Sequence, residues 1–166
     1  MSWVKKKILL KIKKQFLKLE EDLSEIDVGL IRLAKPIPEH EFFFNINEIN
    51  IFKFTRVQDV QIKGEYFDHY FSRYQAYDSS SKNCFNFISN KSIRSVQKKE
   101  QHMLFSDESN IKFLLNLHQD VDYILSNSDM FAEFSLILLP ENFVFQIQEY
   151  SLSSETELYQ LIQYYE

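Results

Sequence analysis

Four histidines, at positions 40, 69, 102 and 118, and a single cysteine, Cys84, are the side chains best suited to hold a metal ion or to act as a nucleophile. Zinc sites gather Cys and His ligands a few residues apart. None of these five has a partner at such a spacing. Asp68 directly precedes His69, but adjacent side chains do not converge on one ion. Cys84 stands in an apolar run, where a thiol packs as a small hydrophobe. Only two glycines occur, Gly29 and Gly64, which excludes a glycine-rich phosphate loop. Glu141 and Glu149 flank the last predicted hairpin, and acid–base work by a carboxylate pair needs a convergence that spacing does not supply. The sequence therefore predicts no catalytic constellation, no metal and no cofactor, and its chemistry is that of binding.

The stretch YFDHYFSRYQAYDSSSKNCFNF, residues 66–87, carries that expectation. Single-stranded nucleic acid is held by rings that stack on bases, each worth roughly 1–3 kcal/mol, and by cations that neutralise phosphate. On a strand from Phe71 to Tyr77, Phe71, Arg73, Gln75 and Tyr77 point one way, mixing rings with a cation as a groove does. Tyr70, Ser72, Tyr74 and Ala76 point the other way and read as interior. Lys53, Arg56, Lys63 and Lys82 supply nearby phosphate contacts. Against this stand two facts. Phe and Tyr also fill cores, and the chain has a net charge of −5 where dedicated duplex binders are basic. An acidic domain can still carry a local basic stripe.

These residues need elements to position them. Residues 3–25 predict a helix, with Val4, Ile8, Ile12, Phe16, Leu19 and Leu23 on one face. Its seven lysines between Lys5 and Lys18 suit either a solvated outer face or contact with anionic lipid or phosphates. Pro36 and Pro38 predict an extended connection over 28–41. The run from Phe42 to Lys63 reads as one long strand, whose alternation slips between Phe54 and Val57 and resumes at Val60 and Ile62, the trace of a β-bulge. Phe71–Asp78 and Cys84–Ile88 read as strands around a polar turn at 79–83. Residues 90–105 read as a loop or short exposed helix. A helix is expected over 110–125, with Ile111, Leu114, Leu115, His118, Val121 and Leu125 on one side. Two strands are expected around Pro140, Glu141 and Asn142. Ser154 and Glu157 have capping-box spacing and open a last helix bearing Leu158, Leu161, Ile162 and Tyr165 on one face.

The predicted fold is mainly β with flanking helices. Residues 1–41 form an N-terminal amphipathic helix and connection, and residues 42–166 one domain. Five strands, with a helix between the third and fourth, are the layout of a five-stranded OB-fold barrel. The lone cysteine fits a reducing compartment, and no apolar run reaches the length of a membrane span. No signal peptide and no membrane attachment are expected.

The segment FFFNINEINIFKFTRVQDVQIKGEYFDHYFSRYQAYDSSSKNCFNF resembles the first three strands of OB domains in the replication protein A and CST telomere-complex family. The matching features are Phe42–Phe44, the hydrophilic Asn45–Asn50, Val57–Gly64, the aromatic Phe71–Tyr77, Asp78 and Cys84. FAEFSLILLPENFVFQIQEY is similar to the family's fourth and fifth strands, and residues 154–165 to the helix with which middle and small subunits pair. The resemblance implies a non-enzymatic, telomerase- or replication-associated subunit in the nucleus. It would join a second OB-fold subunit through Leu158, Leu161, Ile162 and Tyr165 and contact single-stranded DNA. The alternative is an acidic, cytoplasmic, immunity-type inhibitor that neutralises a toxin or nuclease by electrostatic complementarity.

Overall fold

A computed structural model describes residues 25–100, 108–128 and 133–165. The helix expected over 3–25 lies outside the described residues except for Glu25, which begins strand β1 (Glu25–Ile31). The extended connection predicted over 28–41 is thus a strand at its start. At its end it is already helical: α1 spans Glu39–Ile49. The long strand expected from Phe42 is corrected accordingly. Phe42, Phe43 and Ile46 are buried while Phe44 is 63% exposed, the one-sided burial of a helix and not the alternation of a strand. Pro38 stands at the N-cap, and Glu39 and Glu41 in the first turn face the positive end of the helix dipole.

After α1 the chain runs as three long bent strands in a meander, each divided between two sheets. The first comprises β2 (Thr55–Arg56) and β3 (Val60–Lys63), the second β4 (Phe67–Phe71) and β5 (Arg73–Asp78), the third β6 (Asn83–Ser89) and β7 (Arg94–Gln97). The slip in alternation expected after Phe54 is the place where the first strand changes sheets. In the second strand the change falls at Ser72, whose N–H donates to Ser89 Oγ at 2.9 Å and whose hydroxyl donates to the Glu39 carboxylate. The predicted hairpin around 79–83 is present, with Lys82 at φ 58° and Asp78 accepting from Ser80 and Ser81. Within the loop or short exposed helix expected over 90–105, Arg94–Gln97 forms strand β7, which pairs with β4 from Phe67↔Gln97 to Tyr70↔Arg94, and residues 101–105 lie outside the described residues.

The larger sheet has six antiparallel strands in the order β2-β5-β6-β8-β1-β9, with β8 at Tyr123–Asn127 and β9 at Gln148–Ser153. The smaller has the order β3-β4-β7. Each face of the large sheet covers a core. On one face Ile31, Ala76, Phe85, Phe87, Tyr123 and Leu125 meet Phe42, Phe43 and Ile46 of α1, together with Phe134, Ile137 and Val144. Phe43 stacks on Tyr74, ring centroids 3.6 Å apart, and Phe42 on Tyr123 at 5.2 Å. On the other face Val28, Leu30, Ile88, Ile124 and Leu152 meet the small sheet through Val60, Ile62 and Phe71, and meet α2 (Glu157–Tyr165) through Leu158 and Ile162.

The chain is mainly β with helices flanking the sheets, and among the described residues no closed barrel forms. A barrel closes when its two edge strands pair with each other. Here residues 39–49 are helical, leaving Thr55–Arg56 as a two-residue edge at one margin and β9 at the other.

The helix expected over 110–125 is also corrected. Asn90, fully buried, takes the hydrogen bonds that a helix would use. Its Nδ2 donates to the carbonyls of His118 (2.8 Å) and Val121 (3.0 Å), its Oδ1 accepts from Leu115 N (2.8 Å), and its own carbonyl accepts from Leu114 N (2.9 Å). This holds an irregular loop that drops Leu115 and Val121 into the core before β8 begins. Of the hairpin predicted around Pro140, the turn exists: Phe143 N donates to Pro140 O at 3.0 Å. Its first strand is replaced, among the described residues, by a 3-10 turn at Phe134–Leu136 and an irregular run to Leu139. The last helix starts at Glu157 and is capped by Thr156, whose Oγ1 accepts from Tyr159 N at 3.3 Å, not by Ser154.

Candidate functional site

The residues predicted to hold nucleic acid do not gather. Phe71 is completely buried in the core between the two sheets. Arg73 is 9% exposed; it donates to the carbonyls of Tyr165 (3.0 Å) and Gln58 (3.3 Å). Lys53 Nζ donates to the carbonyls of Asn47 and Asn50 at the end of α1, where a cation complements the helix dipole. Arg56 pairs with Asp59 at 2.5 Å and lies 5.4 Å from the Tyr74 ring centroid. Tyr77, 61% exposed, and Lys82 stand near the tip of the β5–β6 hairpin. Lys63 is exposed at the far end of the meander, opposite Asp68. The expected alternation holds, with Tyr74 and Ala76 turned to the core under α1 and Arg73 to the opposite face, but that second face is covered as well, so solvent returns only at Tyr77.

The last helix spends its apolar face inside the molecule. Leu158 and Ile162 are 2% exposed, and Leu161 and Tyr165 pack half-buried at the margin of the same core. Its outward ring is Tyr164, 80% exposed.

A cluster that the sequence reading missed lies where β4 meets β7. His69 and Ser95 are cross-strand partners, with Nδ1 and Oγ 2.8 Å apart. His69 Nε2 is 3.9 Å from Glu108 Oε1. Glu108 in turn accepts from Tyr66 N (2.8 Å) and Phe67 N (3.0 Å). Gly64 makes this possible, because a Cβ there would stand 2.0 Å from Glu108 Oε1 and 2.6 Å from Phe67 O. Burial, then the Lys112 ammonium, lower the His69 pKa below its ordinary 6.5, against the pull of Glu108 and Asp68. Burial would raise the Glu108 carboxyl, but the amides of Tyr66, Phe67 and Glu65 and the charge of His69 hold it below the usual carboxylate range. The arrangement ties the β3–β4 hairpin to the segment that begins at Glu108. The signal in the sequence was Gly64, one of only two glycines.

A concave surface with apolar lining lies beside β9. A groove of about 450 Å³ runs between the segment Phe134–Leu139 and the edge chain from Val144 to Glu149. Phe134, Ile137 and Val144 are its buried floor, Phe145 is a 59% exposed ring at its rim, and Glu141 and Glu149 are exposed carboxylates on its lining. The edge chain carries an irregularity there. From Leu33↔Val144 to Leu30↔Gln148, β1 advances three residues while its partner advances four. That extra residue is a β-bulge, which turns side chains out of the regular alternation. Gly29 lies under Ile147, whose Cγ2 would be 3.0 Å from a Cβ at that position. Two cations that follow β1 already have partners. Arg32 binds Asp120 at 2.5 Å and Gln148, and Lys35 lies 4.7 Å from the Phe143 ring centroid. The fold brings Glu141 and Glu149, eight residues apart in the sequence, to one groove.

Among the described residues no group of three or more His, Cys, Asp or Glu side chains is placed to hold a metal ion. No helix among them is long and apolar enough to cross a membrane. Comparison with protein-family models, with curated proteins and with solved structures finds no match.

Proposed function

We propose that this chain is a non-enzymatic binding domain that acts on a protein partner carrying positive charge, in the manner of an acidic inhibitor of a toxin or nuclease. One observation carries the reading. The ring and cation expected to grip nucleic acid, Phe71 and Arg73, are spent inside the fold, whereas the groove left open beside β9 is apolar and edged with carboxylates. A net charge of −5 adds long-range attraction for a cationic protein.

A second reading keeps the chain as an OB-type subunit of a complex like replication protein A or CST, in the nucleus. It is favoured by the meander of three strands that bend between two sheets and by a helix following the last strand. Under that reading DNA contact falls to Tyr77 and Lys82 at the hairpin tip, and a second OB-fold subunit would meet the outer side of α2 at Tyr164.

Native co-purification with mass spectrometry, paired with oligonucleotide titrations at two salt concentrations, separates the two. The first reading expects a basic protein that co-elutes and is released by salt, and no oligonucleotide binding. Oligonucleotide binding that falls steeply with salt, with no basic protein retained, would overturn it.

A further inference from the structure

We propose that the groove beside β9 receives an extended, cation-bearing segment of a partner protein, added to the six-stranded sheet as a seventh strand. The inference rests on the protein-binding reading above and names its site and ligand. β9 pairs with β1 on one side, and among the described residues no strand pairs with the other. An open edge of this kind is a template for another strand. Gln148–Ser153 contains neither proline nor lysine, the usual guards of such an edge. It offers six residues, about 20 Å of strand. The bulge at 145–147 ends the regular ladder where the groove opens, so the frame for an incoming strand is set on one side of the groove.

The chemistry of the occupant follows from the lining. Phe134, Ile137 and Val144 form an apolar floor for one side chain in two of a strand. Glu141 and Glu149 match a lysine or arginine between them. Charge decides against two copies pairing through their β9 edges, since each would bring its own Glu149 to the same groove. The fitting segment alternates apolar and basic residues.

Fluorescence anisotropy of the full chain with a labelled, end-blocked octapeptide of alternating isoleucine and lysine tests this. Saturable binding is expected, with amide shifts confined to residues 134–153. Affinity should fall at least tenfold for the isoleucine–glutamate peptide. It should fall as far for the same basic peptide N-methylated at alternate residues, which cannot join a ladder, and for the protein with Glu141→Lys and Glu149→Lys. Both glutamates are exposed, and Phe145→Ser at the rim is a second variant expected to weaken binding. No binding of the basic peptide up to about 1 mM overturns the inference, as does equal binding by either control peptide or by both protein variants. A natural partner retained unchanged by the variants would sink the groove and leave the protein-binding reading standing. A chain with no protein partner at all would sink that reading itself.

Discussion

Arg73 closes the C-terminal end of α2 from inside the fold: its Nη1 donates to the carbonyl of Tyr165 at 3.0 Å while its guanidinium lies 4.9 Å from the Tyr165 ring centroid. A helix ends in unpaired carbonyls and a partial negative charge, so a cation there gains both a hydrogen bond and a favourable field. The same guanidinium holds Gln58 O at 3.3 Å, where the first bent strand changes sheets. One side chain thereby joins β5, the crossing of β2 into β3, and the last helix.

Replacing Arg73 with Met should therefore cost stability, not affinity. Charge-assisted hydrogen bonds contribute roughly 1.5–3 kcal/mol, and a loss of that size is expected in urea unfolding. Amide exchange should rise across 157–165. A residue that contacted phosphate would instead lower the salt slope of oligonucleotide binding by about one. Such a change in Arg73→Met at intact stability would return Arg73 to the surface role.

Asn90→Ala leaves the Val121 carbonyl and the Leu115 amide without their partner, and takes one of two donors from the His118 carbonyl, which keeps Val121 N at 3.2 Å. Each orphaned buried group costs roughly 1–3 kcal/mol. The expected total is about 2 kcal/mol or more, measured by chemical denaturation. Asn90→Asp should be only partly better, because its carboxylate can accept from Leu115 but cannot donate. An alanine variant within about 0.5 kcal/mol of the native protein would show that the 110–122 loop holds itself.

The two glycines should differ in sensitivity. At Gly64 a methyl group would collide with Glu108 and with the backbone carbonyl of Phe67. Gly64→Ala is expected to displace Glu108 from the amides of Tyr66 and Phe67, with large shifts of both amide resonances. At Gly29 the nearest atom is the Ile147 branch methyl at 3.0 Å, a side-chain contact that needs to give by only a few tenths of an ångström. Gly29→Ala should leave the fold intact and move Ile147 within the groove. Equal destabilisation at both sites would contradict this order.

His69 gives the fold an acid sensitivity of definite sign. Its folded pKa lies below the ordinary 6.5, so as pH falls through that value the unfolded chain takes up a proton that the folded chain resists. The unfolded state then binds more protons, and stability drops with pH from about 6.5 downward. The groups that bear on the ring are Asp68 beside it, Ser95 across the ladder, Glu108, and Lys112, which pairs with Glu157 at 3.2 Å. The depressed Glu108 carboxyl adds a further loss of the same sign in the carboxylate range. Urea midpoints measured between about pH 7.5 and 5.5 should fall for the native protein and fall less for His69→Gln. Parallel declines would remove His69 from the account.

The hairpin around 79–83 was legible because its determinants are local: an aromatic strand, a run of small polar residues and a second apolar strand. The last helix was legible in the same way, from the spacing of Leu158, Leu161 and Ile162. The three phenylalanines at 42–44 were misread because adjacent rings satisfy strand and helix patterns alike over so short a run. Ile46, buried one turn beyond Phe42, distinguishes them. The helix pattern over 110–125 was real as a pattern, but it lost to a single distant side chain, Asn90, that offered the backbone other partners.

The sequence by itself determined a mainly β chain with flanking helices, the places where the chain turns, and most of which side chains are apolar enough to be buried. Those properties follow from propensity and periodicity, which act over a few residues. Only the tertiary structure decided which buried face each side chain joins, that Arg73 turns inward to a helix end, and that Glu141 and Glu149 share a groove at an open edge. Those outcomes depend on contacts between residues far apart in the chain. Such contacts form only when both faces of one sheet are covered, a condition that no local window of sequence records.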